Sequence, residues 1–326
     1  MRALLVVNPN ATTASARTRE VLVAALEGEL KLEVAHTTHR AHATELARQA
    51  RADGMGIVIA FGGDGTVNEV VNGLLADGPH PDVPDLAVVP GGGANVFARA
   101  LGVPRDPVEA TGALLTALRD GRRRRVGLGQ VDARWFTFNA GLGWDAEVVE
   151  EVDRRRAESS GRTGAHDYFR AALRRFFAGT DRRHPALTVS YTGPQPGQQP
   201  GREPGAPHEP LPDDTDLHLV MVANTAPWTY LGTRPIGPFP RASFDTGLDL
   251  YALRSLRTVS TLRQVRQIVS RRQREPLGRA ALNRHDLSSF TVTASRPVAL
   301  QVDGEPLGSR DGASFTSVPD ALRVVC

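Results

Sequence analysis

Cysteine is almost missing from this chain: Cys326, the last of 326 residues, is the only one. A disulfide framework or a cysteine-built metal site within one chain is thereby excluded. Lysine is nearly absent too, with Lys31 the only one among 39 basic residues. Such an arginine bias is the mark of a GC-rich genome rather than of a particular chemistry. The formal charge of +3 is too small to argue for nucleic acid as a partner. No apolar run approaches the roughly 18 residues that a membrane span needs. The start, Met1-Arg-Ala-Leu-Leu-Val-Val-Asn-Pro9, is broken too early for a signal peptide. The expectation is a soluble, cytoplasmic protein. The histidines show no ligand spacing, and His166-Asp167 reads as ordinary surface.

What is present is concentrated in Phe61-Gly-Gly-Asp-Gly-Thr-Val-Asn-Glu-Val-Val-Asn-Gly-Leu74. Ahead of it, Gly56–Phe61 is a short apolar run that suits a buried parallel strand. Behind it, Val67, Val70, Val71, Leu74 and Leu75 recur at helical spacing. Strand, glycine loop and helix together offer backbone N–H groups and a helix N-terminus to a phosphate. An acid inside the loop, Asp64, would repel a bare phosphate, which points to work through a metal ion or as a proton acceptor.

A chain of this length is expected to form two domains. Up to about residue 125, strands alternate with helices: Ala3–Val7, a helix to about Gly28, Leu32–His36, Thr44–Ala52, Gly56–Phe61 with its helix, and Leu86–Val89 with a helix through Leu101. That alternation predicts a parallel sheet covered on both faces, with ligands beyond the carboxyl ends of the strands. Asn8–Thr12, Gly62–Thr66 and Pro90–Asn95 lie at those ends and are expected to converge on one ligand. After Arg122–Arg125 the pattern changes to segments with strand character: Trp135–Ala140, Ala186–Tyr191, Leu217–Ala223, Leu248–Leu253, Phe290–Ala294 and Val298–Val302. The domain boundaries predicted are 1–125 and 126–313, with 314–326 returning to the first domain. Residues 192–216, rich in Pro, Gly and Gln, read as a disordered insert. Helices are predicted over Ala165–Phe177 and from about Leu256 to Arg274. Both carry arginines beside an apolar stripe, so each could lie on an anionic bilayer; the plainer reading packs the stripe on a sheet.

Gly62–Leu74 closely resembles the nucleotide-binding signature of the diacylglycerol kinase catalytic domain family, which includes bacterial lipid kinases and the sphingosine and ceramide kinases. Further matches follow in order: Asn8-Pro9; Gly92–Gly102 with Ala94-Asn-Val-Phe-Ala-Arg99; Phe138–Ala146; Asp245-Thr-Gly-Leu-Asp249; and Asp303-Gly-Glu305. The resemblance implies an N-terminal Rossmann-like α/β domain with a parallel sheet, a C-terminal antiparallel β-sandwich domain, and an active site in the cleft between them. It implies an ATP- and Mg²⁺-dependent phosphotransferase acting on a lipid hydroxyl at the membrane surface, diacylglycerol first. The chain would then sit in the cytoplasm and transiently at the inner face of the membrane, and a homodimer is compatible with it. Nucleotide contacts carry over to Asn8, Pro9, Asn10, Ala11, Thr12, Thr37, Gly62, Gly63, Asp64, Gly65, Thr66, Asn68, Glu69, Gly92, Gly93 and Asn95. Metal contacts carry over to Asp245, Leu248 and Asp249. Glu305 and Asp64 compete for the role of proton acceptor.

Four departures from the family's pattern stand out: Thr12 where glycine is usual, the absence of the basic residue that soon follows unless Arg17 substitutes, Gly93 where a hydroxyl is usual, and Thr246 where a second aspartate is frequent. Two other readings stay open, a kinase of a soluble acceptor such as NAD and a nucleotide- or lipid-binding relative without catalysis.

Overall fold

The computed structural model describes residues 1–9, 11, 15–158, 181–192 and 211–326. The predicted helix over 165–177, most of the predicted insert, and positions 10, 12, 166 and 167 lie outside them. The chain divides into two units, Met1–Leu128 with Pro319–Cys326, and Gly129–Val318.

In the first unit, strands β1 (Arg2–Val7), β2 (Lys31–His36), β3 (Ile57–Gly62) and β4 (Asp85–Pro90) form a parallel sheet in the order β2-β1-β3-β4. Both β3 and β4 are buried along their whole length, as continuous apolar runs in a covered parallel sheet must be. Helices α1 (Ala16–Glu27), α2 (His42–Ala52), α3 (Asp64–Leu74) and α4 (Val96–Ala100) follow the strands in turn. A further helix, α5 (Pro107–Arg119), was not among the elements expected. Its signals are local all the same: Asp106 caps the Val108 and Glu109 amides and Pro107 opens the first turn. Leu5, Ile57, Ile59 and Phe61 meet Leu22 and Leu26 of α1 and Leu114 of α5 in one core.

The last residues of the chain join this sheet, with Val324 parallel to Leu86. Buried Asp85 holds them there, accepting from Arg323 Nε at 2.8 Å and from Arg123 Nε at 2.6 Å. An otherwise unpaired acid in a buried strand needs such partners.

Gly73, in the Asn-Gly-Leu part of the signature, is a packing residue. A methyl group there would run into the backbone oxygen of Thr44 and come within 2.7 Å of Ala47 Cβ, across the α2–α3 contact. Alanine is the better helix former by about 1 kcal/mol, but the clash is with backbone and cannot be relieved by a rotamer. Gly73→Ala is therefore expected to destabilise the first unit by about 1–3 kcal/mol in chemical unfolding.

The second unit is antiparallel. Its strands are β5 (Arg124–Val131, which enters from the first unit), β6 (Arg134–Phe136), β7 (Asn139–Gly143), β8 (Leu187–Tyr191), β9 (Asp214–Leu217), β10 (Leu219–Ala223), β11 (Thr229–Leu231), β12 (Arg234–Ile236), β13 (Leu248–Leu253), β14 (Ala281–Leu287), β15 (Ser289–Val302) and β16 (Glu305–Val324). Phe290–Ala294 and Val298–Val302 are one strand, β15, whose pairing with β16 breaks register between Thr293 and Val298. On one side of that break β15 pairs with β8, on the other with β7. A strand that changes partners at an irregularity is how one sheet folds over into a two-layered sandwich. Phe136, Leu142, Val189, Val220, Leu250, Phe290 and Phe315 fill the core, with Phe290 and Phe315 stacked at 5.1 Å between ring centroids.

Other segments differ from expectation in detail. Trp135–Ala140 is two strands, with a bend at Thr137 and Phe138. Asp214–Leu217, partly inside the predicted insert, is strand β9 and pairs with β8. The helix expected from Leu256 to Arg274 is α7 (Thr258–Ile268), and α6 (Trp144–Glu158) precedes it in this unit. No helix among the described residues is long and apolar enough to cross a membrane.

Candidate active site

Three loops follow the carboxyl ends of β1, β3 and β4, and they are tied together. The Asn8 amide nitrogen donates to the Phe61 carbonyl at 3.0 Å, and Asn8 Nδ2 donates to Thr66 Oγ1 at 3.1 Å. The Gly91 N–H donates to the Gly62 carbonyl at 2.7 Å. Gly92 comes so close to Gly63 that a methyl on it would lie 2.7 Å from Gly63 Cα, and a methyl on Gly91 would lie 2.8 Å from Ala11 Cβ. These glycines are needed because two backbones touch. Gly93 differs: it is exposed and its Cβ direction is open.

Polar side chains lock the loops. Asn95, buried and left-handed at φ 49°, accepts from the Gly92 N–H at 2.9 Å and donates back to the Gly92 carbonyl at 2.7 Å. Asp64 stands in the first turn of α3, and its Oδ1 accepts the Phe97 N–H of α4 at 3.2 Å. Its carboxylate thus joins the β3 loop to the helix that follows β4, a favourable place for an anion at two helix N-termini. No side chain caps α3 at Gly63, so its first-turn N–H groups are left to other acceptors. A cradle of backbone donors beside an open Gly93 fits a phosphate chain.

Two signature residues have work inside the fold. Both Glu69 carboxylate oxygens accept amides at the start of α2, Ala41 at 2.9 Å and Ala43 at 3.1 Å. Asn68 is fully buried, with its Oδ1 taking a bond from Asn72 at 3.1 Å. Thr37 follows β2, and its amide donates to the Val7 carbonyl at 2.9 Å. Asn10 and Thr12 lie outside the described residues.

In the second unit, Asp303 and Gly304 form a two-residue hairpin turn between β15 and β16, with φ of 48° and 79°. Positive φ at both positions is the twist-matched hairpin turn, and Asp-Gly suits it. Glu305 is the first residue beyond, and its Oε2 receives Arg134 Nη2 at 3.0 Å. Buried Asp303 anchors the turn. Its Oδ2 accepts the Thr137 amide at 2.7 Å and hydroxyl at 2.8 Å, and its Oδ1 accepts the Phe138 and Asn139 amides at 3.0 Å each. Burial pushes the Asp303 carboxyl above its ordinary range, against the donors, which favour the ionised form. Beneath the turn, Gln301 Nε2 donates to Asn139 Oδ1 at 3.0 Å and Asp145 Oδ2 at 2.9 Å, while its Oε1 accepts the Gly304 amide at 3.0 Å. Asn139, Asp145 and Asp303 lie in segments that the resemblance marked, whereas Thr137, Gln301 and Arg134 were not singled out from the sequence. Arg134 in particular lies 171 residues from Glu305 and carries no local signal.

The expected metal residues differ in their surroundings. Asp249 is buried, with its Oδ1 beside His285 Nδ1 at 2.6 Å and the Asp286 amide at 3.2 Å. Burial raises its carboxyl, and the charge and hydrogen bond of His285 lower it. Leu248 is buried opposite Leu287. Asp245 is exposed, its amide donating to Ser243 Oγ at 3.2 Å. Among the described residues no group of three or more His, Cys, Asp or Glu side chains is placed to hold a metal ion.

Glycine loops meeting beyond the carboxyl ends of parallel strands define the class: an α/β unit with its glycine loops gathered at one edge of the sheet, followed in the chain by an antiparallel unit. Residues 2–131 match the family model described as the diacylglycerol kinase catalytic domain, so the resemblance read from the motifs holds over that stretch. The Diacylglycerol kinase of Bacillus subtilis (strain 168) is 40% identical over 117 residues, 36% of either chain. That of Staphylococcus aureus (strain MRSA252) is 35% identical over 158 residues, 46% of either chain. The chain thus spans less than half the length of these curated relatives. A crystal structure of a diacylglycerol kinase from Bacillus anthracis str. Sterne shares the fold with a TM-score of 0.67 at 20% identity, over 99% of this chain and 96% of that one.

The cradle can be tested through its glycines. Gly92→Ala puts a methyl against the Gly63 backbone and is expected to weaken nucleotide binding by at least about tenfold, because the loops must separate. Gly93→Ala meets nothing within 4 Å and is expected to change it less than about threefold. Titration of a fluorescent ATP analogue would read both. Equal losses would mean that contact between the loops is not what shapes the cradle.

Proposed function

We propose that this chain is a lipid kinase that uses ATP and Mg²⁺ to phosphorylate a lipid hydroxyl, diacylglycerol first. The observation that carries the reading is the meeting of the two glycine loops, Gly62–Gly63 and Gly91–Gly92, inside the stretch that matches the catalytic-domain model. ATP, when bound, supplies the phosphoryl group. The backbone around Asn8, Ala11, Gly63, Gly65, Thr66 and Gly93 holds its phosphates; Asn68 and Glu69 act behind this surface by shaping the helices. Asp64 has the loop-joining role, and Glu305, oriented by Arg134, takes the proton of the acceptor hydroxyl. Phosphoryl transfer asks little else of a protein than alignment, charge neutralisation and such an acceptor. Mg²⁺ would come in on the nucleotide's phosphates rather than in a protein cage. Of the three metal residues implied by the family, only Asp245 has a surface position that suits it.

The test is transfer of labelled phosphate from ATP and Mg²⁺ into a panel of lipids in mixed micelles, with NAD as a soluble acceptor alongside. Label in diacylglycerol, giving phosphatidic acid, is the expected result. Nucleotide binding without label in any lipid would overturn the proposal, and label in NAD would replace it.

A further inference from the structure

Helix α7 of the second unit is inside out. A helix that covers a sheet turns its apolar stripe inward and its polar residues to water. Here Thr261 and Gln264 are buried, with Gln264 at 3.3 Å from the Tyr251 hydroxyl, while Val259 is 83% and Leu262 55% exposed. The helix is anchored at its ends instead, by Leu256 before it and Ile268 at its close, both packed in the core beneath. Val259, Leu262, Arg266 and Val269 follow one another at i, i+3, i+7 and i+10, so they share one outward stripe. The plainer reading of this segment, an apolar stripe packed on a sheet, is therefore corrected.

Along the chain, the charge around that stripe is nearly all of one sign. From Arg254 to Arg279 there are eight arginines and a single acid, Glu275. Glu275 pairs with Arg241, and Arg254 with Asp214. Arg257, Arg263, Arg266, Arg271, Arg272 and Arg274 make no ion pair among the described residues. Exposed aliphatic side chains ringed by unpaired guanidinium groups complement one kind of surface above others.

We propose that this face of α7 docks on an anionic lipid bilayer, with Val259 and Leu262 entering the boundary between headgroups and acyl chains and the arginines meeting lipid phosphates. The inference rests on the lipid-kinase reading for its purpose but not for its observations. A polyanion such as nucleic acid would engage the arginines and leave two exposed aliphatic residues without a role. An amphipathic helix lying in the interface uses both, since its binding grows with buried apolar area and with attraction to anionic lipid.

The experiment is sedimentation of the full chain with vesicles of phosphatidylcholine, with and without about a third phosphatidylglycerol, a content at which each interfacial arginine contributes measurably. The wild type is expected to bind the anionic vesicles and to leave the neutral ones. Arg263→Glu with Arg266→Glu is expected to weaken that binding by about tenfold or more. Val259→Ser with Leu262→Ser should weaken it by a comparable factor without any change of charge. Phosphate transfer to a short-chain diacylglycerol dissolved in water should be unchanged in both variants, which shows that they fold. Wild-type binding undiminished in either variant would overturn the proposal, as would absence of binding to anionic vesicles. Capture by heparin beads without vesicle binding would overturn it in favour of a polyanion. Vesicle binding lost in the variants, with no lipid phosphorylated by any form, would uphold this surface and sink the kinase reading instead; near-UV circular dichroism would then report the variants' fold.

Discussion

Glu305→Gln is expected to lower phosphate transfer to a lipid hydroxyl by about 10²–10⁴-fold, the usual worth of a positioned general base. The substitution keeps the shape of the side chain and removes only its capacity to take a proton. Glu305 stands one residue beyond a tight turn that Asp303 fixes to the backbone, and Arg134 Nη2 at 3.0 Å sets the direction of its carboxylate. Nucleotide affinity should stay within about threefold, because the exchange alters no residue of the glycine loops and keeps the shape of the side chain. Arg134→Met leaves the carboxylate and removes its guide, so a smaller loss of about 10- to 100-fold is expected. Measurement of the transfer rate and nucleotide affinity side by side decides the matter. A Glu305→Gln enzyme that transfers phosphate at the wild-type rate would return the proton to Asp64, for which Asp64→Asn is the matching test.

Asp303→Asn should be the costliest single substitution for the fold of the second unit, by about 3–5 kcal/mol, since buried donors left without an acceptor cost about 1–3 kcal/mol each. Asparagine is the choice that isolates the cause. It tolerates the left-handed conformation that Asp303 adopts at φ 48°, so the turn itself is not what is lost. An amide can offer only one oxygen, whereas the carboxylate serves two pairs of donors, the Thr137 amide and hydroxyl on one side and the Phe138 and Asn139 amides on the other. Whichever way the amide turns, its NH₂ faces two donors in a place closed to water. Guanidinium chloride unfolding would show the loss, and amide exchange at Thr137–Asn139 would locate it. A variant within about 0.5 kcal/mol of wild type, inside the range of ordinary surface changes, would mean that the bend is held by packing alone.

Asp303 also shows where reading along the chain stops. Asp-Gly announces a hairpin turn by itself, and the family pattern draws attention to Glu305. That the aspartate grips a bend 166 residues away could not be read, because no local property of Thr137 or Phe138 marks them as donors in need of an acceptor. The same holds for Glu69, whose place in the signature suggested a ligand contact and whose carboxylate instead caps α2. Gly73 belongs with it: the motif is conspicuous, but its reason is the neighbouring helix.

The first unit was legible to a large degree because its determinants are short-range. Apolar runs of strand length, glycines at their ends and a 3.6-residue stripe behind them specify strand, loop and helix within some 20 residues, and parallel order then puts the loops on one edge. Helix α5 carried the same kind of signal in Asp106-Pro107. In the second unit, strand character was visible but partners were not. β15 was expected as two strands because Arg296 and Pro297 interrupt its pattern, and it is one strand that changes partners there.

By itself the sequence determined the alternation of elements, the glycine loops and the acids within them, since periodicity and turn chemistry act between neighbours in the chain. Only the tertiary structure decided which face of α7 meets water, which guanidinium faces Glu305 and which carboxylates are enclosed by the fold. Those outcomes depend on contacts between residues far apart in sequence, where burial and pairing outweigh local preference.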